Sequence, residues 1–239
     1  MSIFQFKEFT LKQTDSAAKL TTDATIFGAS LPFSDNVSTA LEVGTGTGIL
    51  SLMLSQRGRF TIDAVEIEER AYNEASLNFQ RSPWANRLQA HHVDFNLFYA
   101  AAKNKNKYDL VFSNPPFFTK NLQSPVNRKK NTAYHTNTLS FKELATGISL
   151  VLKDSGEAFI MLPAYEMTLF VDEIKMQGFS ISHILKIHHS LNKPALRIIH
   201  GFSKHETEKP AEKVIYIRDE NNEFHPGYIE LLKPFLTIF

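Results

Sequence analysis

Two stretches hold residue types that could do chemistry. In Leu41-Glu42-Val43-Gly44-Thr45-Gly46-Thr47-Gly48-Ile49-Leu50 an acid precedes three alternate glycines, and in Ser113-Asn114-Pro115-Pro116-Phe117 an amide precedes two prolines and a ring. A glycine-rich turn between a strand and a helix lets backbone N–H groups approach a ligand that side chains would block. Dinucleotide folds favour G-x-G-x-x-G, whose third glycine would fall here at Ile49 instead of Gly48. Glu42 would place a carboxylate near the mouth of the turn. That charge suits the cationic aminoacyl end of S-adenosylmethionine and would repel a pyrophosphate resting on the helix N-terminus.

Asn114 follows an apolar run, Leu110-Val111-Phe112, so it stands at a strand end, where ligands of open α/β sheets bind. Two prolines fix the backbone and remove two N–H donors, which leaves carbonyls to meet a ligand that donates. An exocyclic amine is such a ligand. Its lone pair is delocalised into the ring. The Asn114 side-chain oxygen and the Pro115 carbonyl can accept both amine hydrogens and bias the nitrogen toward tetrahedral geometry, with the ring stacked on Phe117. Attack on a sulfonium methyl then requires positioning more than a base of tuned pKa. Asn114, Pro115 and Phe117 are therefore the candidate catalytic residues, with Asn114 also facing the cofactor.

Further candidates lie at other strand ends. Glu66 closes Thr61-Ile62-Asp63-Ala64-Val65 at roughly the 20-residue distance expected of a ribose-binding acid, and its two oxygens can accept both ribose hydroxyls. In His91-His92-Val93-Asp94-Phe95, Asp94 can accept the adenine amine and Phe95 can offer an apolar face to the ring. Neither His91-His92 nor His188-His189 has the ligand spacing of a zinc site, and no nucleophile elbow is present, so no metal is expected.

The elements that must position these residues are legible as alternation. Phe4, Phe6, Phe9 and Leu11 suggest two short strands around a turn, and Thr22-Asp23 offers a cap for a helix ending at Leu31 before Pro32. Strands are expected at Thr39 to Val43, Phe60 to Val65, Leu88 to Val93, Tyr108 to Phe112 and Glu157 to Leu162. Helices are expected at Ile49 to Gln56, Glu68 to Gln80, Leu139 to Leu152 and Tyr165 to Met176. This order calls for a doubly wound, Rossmann-like α/β sheet, mostly parallel and covered on both faces. Phe179 to Ile187 and Leu196 to Phe202 leave no room for a crossover helix and should form an antiparallel edge hairpin. Val214 to Ile217 reads as an accessory strand before a short helix near Tyr228. The whole is expected as one domain: residues 1–36 a hairpin and helix cap, 37–203 the catalytic core, 204–239 a C-terminal extension.

Composition frames the reading. The chain has 239 residues, enough for a full core in one domain, and no apolar run of about 18 residues to span a bilayer. It has no cysteine, which excludes disulfides and thiolate metal sites or nucleophiles. With no secretory signal pattern at Met1 to Glu8, a cytoplasmic, soluble protein with no membrane partner is expected, as a monomer. The net charge of +1 hides an asymmetry: no acid occurs from Leu110 to Lys142 or from Ile174 to His205, while both stretches carry lysine and arginine. Such a face attracts phosphates.

Taken together, these residues resemble the bacterial tRNA(Val) adenine N6-methyltransferase family over nearly the whole length. Phe4-Gln5-Phe6-Lys7, Phe9-Thr10, Lys19-x-x-Thr22-Asp23 and Gly28-Ala29 are similar to its opening segment. The Glu42 to Gly48 turn and Asn114-Pro115-Pro116-Phe117-Phe118 match the motifs, and Lys193-Pro194, Arg197 and Phe202-Ser203 resemble its late strand pair. The resemblance implies S-adenosyl-L-methionine as cofactor, held by Lys19, Thr22, Glu42, Gly44, Thr45, Gly46, Gly48, Glu66, Ile67, Asp94, Phe95 and Asn114. It implies tRNA, through its anticodon stem-loop, as partner, met by Lys120, Arg128, Lys129, Lys130, Lys193 and Arg197, with methylation of the adenine 3′ of the anticodon. Phe117 stands where the family usually has tyrosine; it keeps the stacking face without the hydroxyl. Ribosomal RNA guanine N2-methyltransferases and release-factor glutamine methyltransferases pose the same geometric problem and remain alternatives from the motifs alone.

Overall fold

The computed structural model describes residues 2–14, 19–115, 139–206 and 208–239. Alternating strands and helices build one eight-stranded sheet, and a separate two-stranded hairpin packs beside it. The hairpin pairs β1 (Ile3–Gln5) with β2 (Thr10–Lys12) in antiparallel register, Phe4 opposite Leu11. Phe6 stacks on Phe9 with ring centroids 4.4 Å apart and is fully buried, so the aromatic alternation seen in the sequence turns this hairpin onto the core. Asn78 fastens it to α3 (Glu69–Arg81): its amide donates to the Lys12 carbonyl and its oxygen accepts the Lys12 N–H, both at 2.9 Å.

α1 spans Thr22–Ser30, with Thr21 as its N-cap, accepting the Ala24 N–H at 3.3 Å; the expected cap at Thr22 therefore moves back one residue. β3 (Thr39–Val43), β4 (Thr61–Glu66), β5 (Leu88–His92), β6 (Tyr108–Ser113) and β7 (Leu152–Leu162) run parallel in the order β7-β6-β3-β4-β5. β3 and β6 are near-continuous apolar runs because both of their faces are covered. On one face lie α1, α2 (Ile49–Arg57), α3 and α7 (Pro226–Leu232). On the other lie α4 (Phe95–Ala100), α5 (Phe141–Val151) and α6 (Ala164–Lys175). Strand order reverses between β3 and β6, the switch point at which open α/β sheets leave a crevice.

β8 (Ser180–His188) and β9 (Ala195–Ser203) form the expected antiparallel hairpin, and β9, inserted between β7 and β8, is the one reversed strand of the sheet among the described residues. The hairpin does not end the sheet. β10 (Ala211–Tyr216), expected only as an accessory strand, pairs parallel with β8 in register Tyr216 opposite His188 and forms the true edge. β7 also begins at Leu152, five residues before the expected Glu157, since α5 runs straight into it.

Candidate active site

At the carboxyl ends of β3, β4 and β6 a cavity of about 610 Å³ opens. The glycine turn forms one wall, Glu66 to Glu68 and Asp94 to Asn96 a second, and Ser113 to Pro115 a third; Lys19 and Thr21 from the segment before α1 and Ala24 from its first turn close it, with Leu139 ahead of α5 and Glu143 in its first turn. The two sequence motifs thus meet across one space. Ser113 fixes that meeting: buried, it donates through Oγ to the Val43 carbonyl at 2.6 Å and locks the end of β6 to the end of β3.

The turn holds φ of +72° at Gly44, +56° at Gly46 and +84° at Gly48, a region that side chains rarely adopt. Gly44 and Gly48 serve different ends. A Cβ at Gly44 would meet nothing within 4 Å, whereas one at Gly48 would stand 2.5 Å from Phe79 Cε1. Gly48 is the N-cap of α2 and lets it approach α3; Gly44, Thr45 and Gly46 line the cavity, and Gly48 does not. Four amides of the turn are committed within the protein. Gly44 and Thr45 donate to the Val65 carbonyl at 2.9 and 3.2 Å, Gly46 to Glu66 Oε2 at 2.9 Å and Gly48 to the Thr45 carbonyl at 2.9 Å. At these four positions the expectation that the N–H groups reach for a ligand is corrected, and what Gly44 and Gly46 present to the cavity is backbone without side chains.

Glu42 is also placed differently from the expected mouth. It is 1% exposed, at the cavity floor, where Thr45 Oγ1 donates at 2.7 Å, the Ser51 N–H at 3.2 Å and the Ser51 hydroxyl more closely still. Burial pushes its pKa up to about 8 against the pull of those donors. The glycine turn folds over the carboxylate, two residues inside β3, and removes it from water. A buried acid that is readily made anionic by a neighbouring cation suits an ammonium group better than it suits any anion.

Glu66 receives Gly46 on one oxygen and the N–H groups of Ile67 and Glu68, both at 3.0 Å, on the other. Oε1 thereby has both lone pairs engaged, and Oε2 keeps one for a hydroxyl. Ile67, 43% exposed, presents an apolar side chain at the cavity. Asp94 caps α4 and accepts from the Asn96 N–H at 2.7 Å and the Asn96 amide at 3.0 Å, both on Oδ1. Phe95 lines the cavity but is buried, its ring packed edge-on to Tyr99 and against the backbone of α5 at Gly147. Asn114 is half-buried and lines the cavity with Pro115.

Lys19 lines the cavity and donates to the Gln13 and Thr14 carbonyls at 2.7 and 3.2 Å. Thr22 is exposed on α1 and is not among the lining residues; Thr21 takes that place. Lys193 is exposed in the β8–β9 loop, and its carbonyl is bonded to His188 Nδ1 at 2.8 Å. Arg197 is expected from the sequence to meet RNA; it forms an ion pair with Asp23 of α1 at 2.9 Å, both side chains half-buried, and so ties β9 to the cavity-lining end of α1. Phe117, Lys120, Arg128, Lys129 and Lys130 lie outside the described residues. Among the described residues no group of three or more His, Cys, Asp or Glu is placed to hold a metal ion, and no helix is long and apolar enough to cross a membrane.

Sequence reasoning missed Ser51, Thr21 and Glu143. Only Glu143 had a local signal, the Ser140-Phe141-Lys142-Glu143 capping box, in which Ser140 Oγ accepts the Glu143 N–H at 3.2 Å and Glu143 accepts the Ser140 N–H at 2.8 Å.

Residues 10–131 match the model of the methyltransferase small domain. The tRNA1(Val) (adenine(37)-N6)-methyltransferase of Dyadobacter fermentans is 36% identical over 99% of this chain and 98% of its own length. The enzyme of the same name in Bacteroides fragilis is 34% identical over 97% of this chain and 96% of its own. Among solved structures, a predicted O-methyltransferase from Agrobacterium tumefaciens superposes with a TM-score of 0.68 at 14% identity, covering 88% of this chain and 95% of that one. That likeness supports the doubly wound, mostly parallel sheet as a methyltransferase fold. A cavity with a glycine-rich turn, an acidic floor and acids at two further strand ends fits S-adenosyl-L-methionine as cofactor. The chain belongs to the bacterial tRNA1(Val) (adenine(37)-N6)-methyltransferase family, built on the methyltransferase small domain.

Proposed function

We propose that the protein methylates the exocyclic N6 of adenine in tRNA, at adenine 37 beside the anticodon of tRNA(Val), with S-adenosyl-L-methionine as methyl donor. The observation that carries this reading is the sharing of one cavity by Glu42, the glycine turn and Asn114-Pro115. Glu42 and Lys19 would hold the aminoacyl end, Glu66 a ribose hydroxyl through Oε2, and Ile67 and Asp94 the adenine ring and its amine. When bound, the cofactor supplies a methyl group on a cationic sulfur.

The chain's own part is orientation. Asn114 Oδ1 and the Pro115 carbonyl accept the two hydrogens of the target amine and draw its lone pair out of conjugation. Pro115 has no N–H to compete for them. Transfer leaves an extra proton on the methylated nitrogen; the two carbonyl oxygens are too weakly basic to take it, and it passes to water after the methyl has moved, so no separate base is required before attack. Phe117 would stack on the target ring. Lys120, Arg128 to Lys130 and Lys193 would meet backbone phosphates, whereas the pairing of Arg197 with Asp23 supports a clamp on α1 in its place. An anticodon loop presents its bases unpaired, which lowers the cost of extruding one into the cavity.

The test is transfer of labelled methyl to total tRNA lacking the modification, followed by nucleoside mass spectrometry. N6-methyladenosine in tRNA(Val) is the expected product. Label in ribosomal RNA or in a release factor, with none in tRNA, would overturn the substrate while keeping the chemistry at Asn114.

A further inference from the structure

One face of the sheet edge has no cover among the described residues. On β8 and β10 the residues Leu185, Ile187 and Ile215 are buried in the core shared with α7. The alternate residues point to the opposite face: Ile184, Lys186 and His188 on β8, and Glu212, Val214 and Tyr216 on β10, paired across in register. All six are half-buried or exposed, Val214 at 43%. α6, the last helix on that side, packs against β7 and β9.

The composition of this face is distinctive. At its carboxyl end the rings of His188 and Tyr216 lie 5.4 Å apart, and Tyr216 and His225 lie 5.9 Å apart, forming a half-exposed row of three. His188 Nδ1 is engaged by the Lys193 carbonyl, which fixes the ring and ties it to a loop bearing an exposed lysine. Lys186 precedes the row on the same face of β8, in the stretch from Ile174 to His205 that has no acid. The opposing charges are bounded. Glu212 stands 4.0 Å from Lys186 on the side away from the rings, and Asp219, Glu220 and Glu223 lie in the turn beyond β10. Three rings flanked by the ammonium groups of Lys186 and Lys193, with Ile184 and Val214 beside them, match the chemistry of a nucleic-acid backbone with unstacked bases. A stable dimer face would be expected to bury a larger apolar core.

Placement agrees. Register sets Ser113 opposite Ile160 and Leu162 opposite Ile198, so the β8–β9 loop leaves the sheet at the same edge as Asn114. β8 lies three strands from β6, about 14 Å at ordinary strand spacing. That is too far to touch the target base and near enough to hold the RNA flanking it. We propose that the open face formed by Lys186, His188 and Tyr216, continued by Lys193, is a docking surface for the tRNA substrate outside the catalytic cavity. The proposal rests on the reading of an RNA substrate.

The test uses the full chain and deacylated tRNA(Val), with affinity read by filter binding across a salt series. Lys186→Glu and Tyr216→Ser are expected to weaken tRNA binding about tenfold each, and Lys186→Glu to lower the salt slope by about one. The dissociation constant of S-adenosylmethionine and kcat at saturating tRNA should stay unchanged. Lys105→Glu, in the segment before β6 at the amino end of the sheet, should leave tRNA affinity as it is. Photo-crosslinking of thiouridine-substituted tRNA to the wild-type protein, mapped by mass spectrometry, covers the case of a variant that fails to fold; crosslinks in 184–193 and 212–218 are expected. Unchanged affinity in both variants, or crosslinks elsewhere only, overturns the docking surface. A concentration-dependent dimer that Lys186→Glu dissociates, with tRNA affinity unchanged, assigns the face to a second copy instead. The two readings fail separately: the substrate assignment is judged on the wild-type product, and the surface on whichever RNA the wild-type protein binds; binding of no RNA overturns both.

Discussion

Asn114 and Glu42 mark two ways in which a residue can serve one cavity. Asn114 acts on the amine through a hydrogen bond that strengthens as the nitrogen becomes tetrahedral. Asn114→Ala is therefore expected to keep S-adenosylmethionine binding, measured by calorimetry, and to lower kcat by about 10²-fold or more; loss of both together would reduce Asn114 to a cofactor contact. Glu42 acts through charge. Its carboxyl in the folded protein titrates near 8, above the ordinary 4.5, because burial outweighs the donors Ser51 and Thr45. A cation beside it favours the ionised form, so binding S-adenosylmethionine below pH 8 should release a proton, and affinity should rise with pH until it levels above 8. Calorimetry in two buffers of different ionisation enthalpy measures that proton directly; equal heats would sink the idea. The sign for stability is opposite. The unfolded chain loses this proton above 4.5 while the folded one keeps it to about 8, so the ligand-free fold loses stability, on the order of a few kcal/mol, across that window. Glu42→Gln should flatten this part of the stability profile.

Elements were legible in the sequence where pattern and local chemistry agree. The run Thr39–Val43 appears in the structure with the same bounds, since five apolar-rich residues before a glycine turn have few other uses. α4 was missed. Six residues are too few to show a helical period, and Phe95-Asn96-Leu97-Phe98-Tyr99 has no clear polar face. Its cap, Asp94, was nevertheless read as a ligand group, and the geometry allows both, because the cap bonds fall on Oδ1 alone. Long-range partners were beyond reach: nothing local joins Arg197 to Asp23, or Glu42 to Ser51. At the turn, Gly48→Ala is expected to destabilise by about 1–3 kcal/mol, from a positive φ and from a Cβ 2.5 Å from Phe79. Urea unfolding checks it. Adding Phe79→Leu should recover the part due to contact and leave the part due to φ, so a double variant no better than the single one would remove the packing argument.

Across the whole molecule the sheet separates its tasks by edge. Cavity-lining acids sit at the carboxyl ends, while two acids toward the amino ends tie strands together. Asp109 accepts the N–H groups of Ser38 and Thr39 at 3.1 and 3.0 Å and Lys153 Nζ at 2.7 Å, joining β3, β6 and β7. Asp63 on β4 is a hub for His91 at 2.6 Å and for Lys107 and Tyr108 at 2.7 Å each. Burial alone would raise the Asp63 pKa, but these three donors outweigh it and hold the carboxyl well below the usual range. A depressed acid stabilises the fold above its unfolded pKa near 3.8 and loses that contribution as pH falls through the lower folded value. Asp63→Asn should therefore cost about 2–4 kcal/mol near neutral pH, by leaving buried donors poorly matched, and the deficit should shrink on acidification below 3.8. Because Asp63 does not line the cavity, the affinity for S-adenosylmethionine measured well below the unfolding transition should remain that of the wild type. A variant that unfolds no earlier, or one that binds the cofactor more weakly while fully folded, would show that the two edges are not separate in their work.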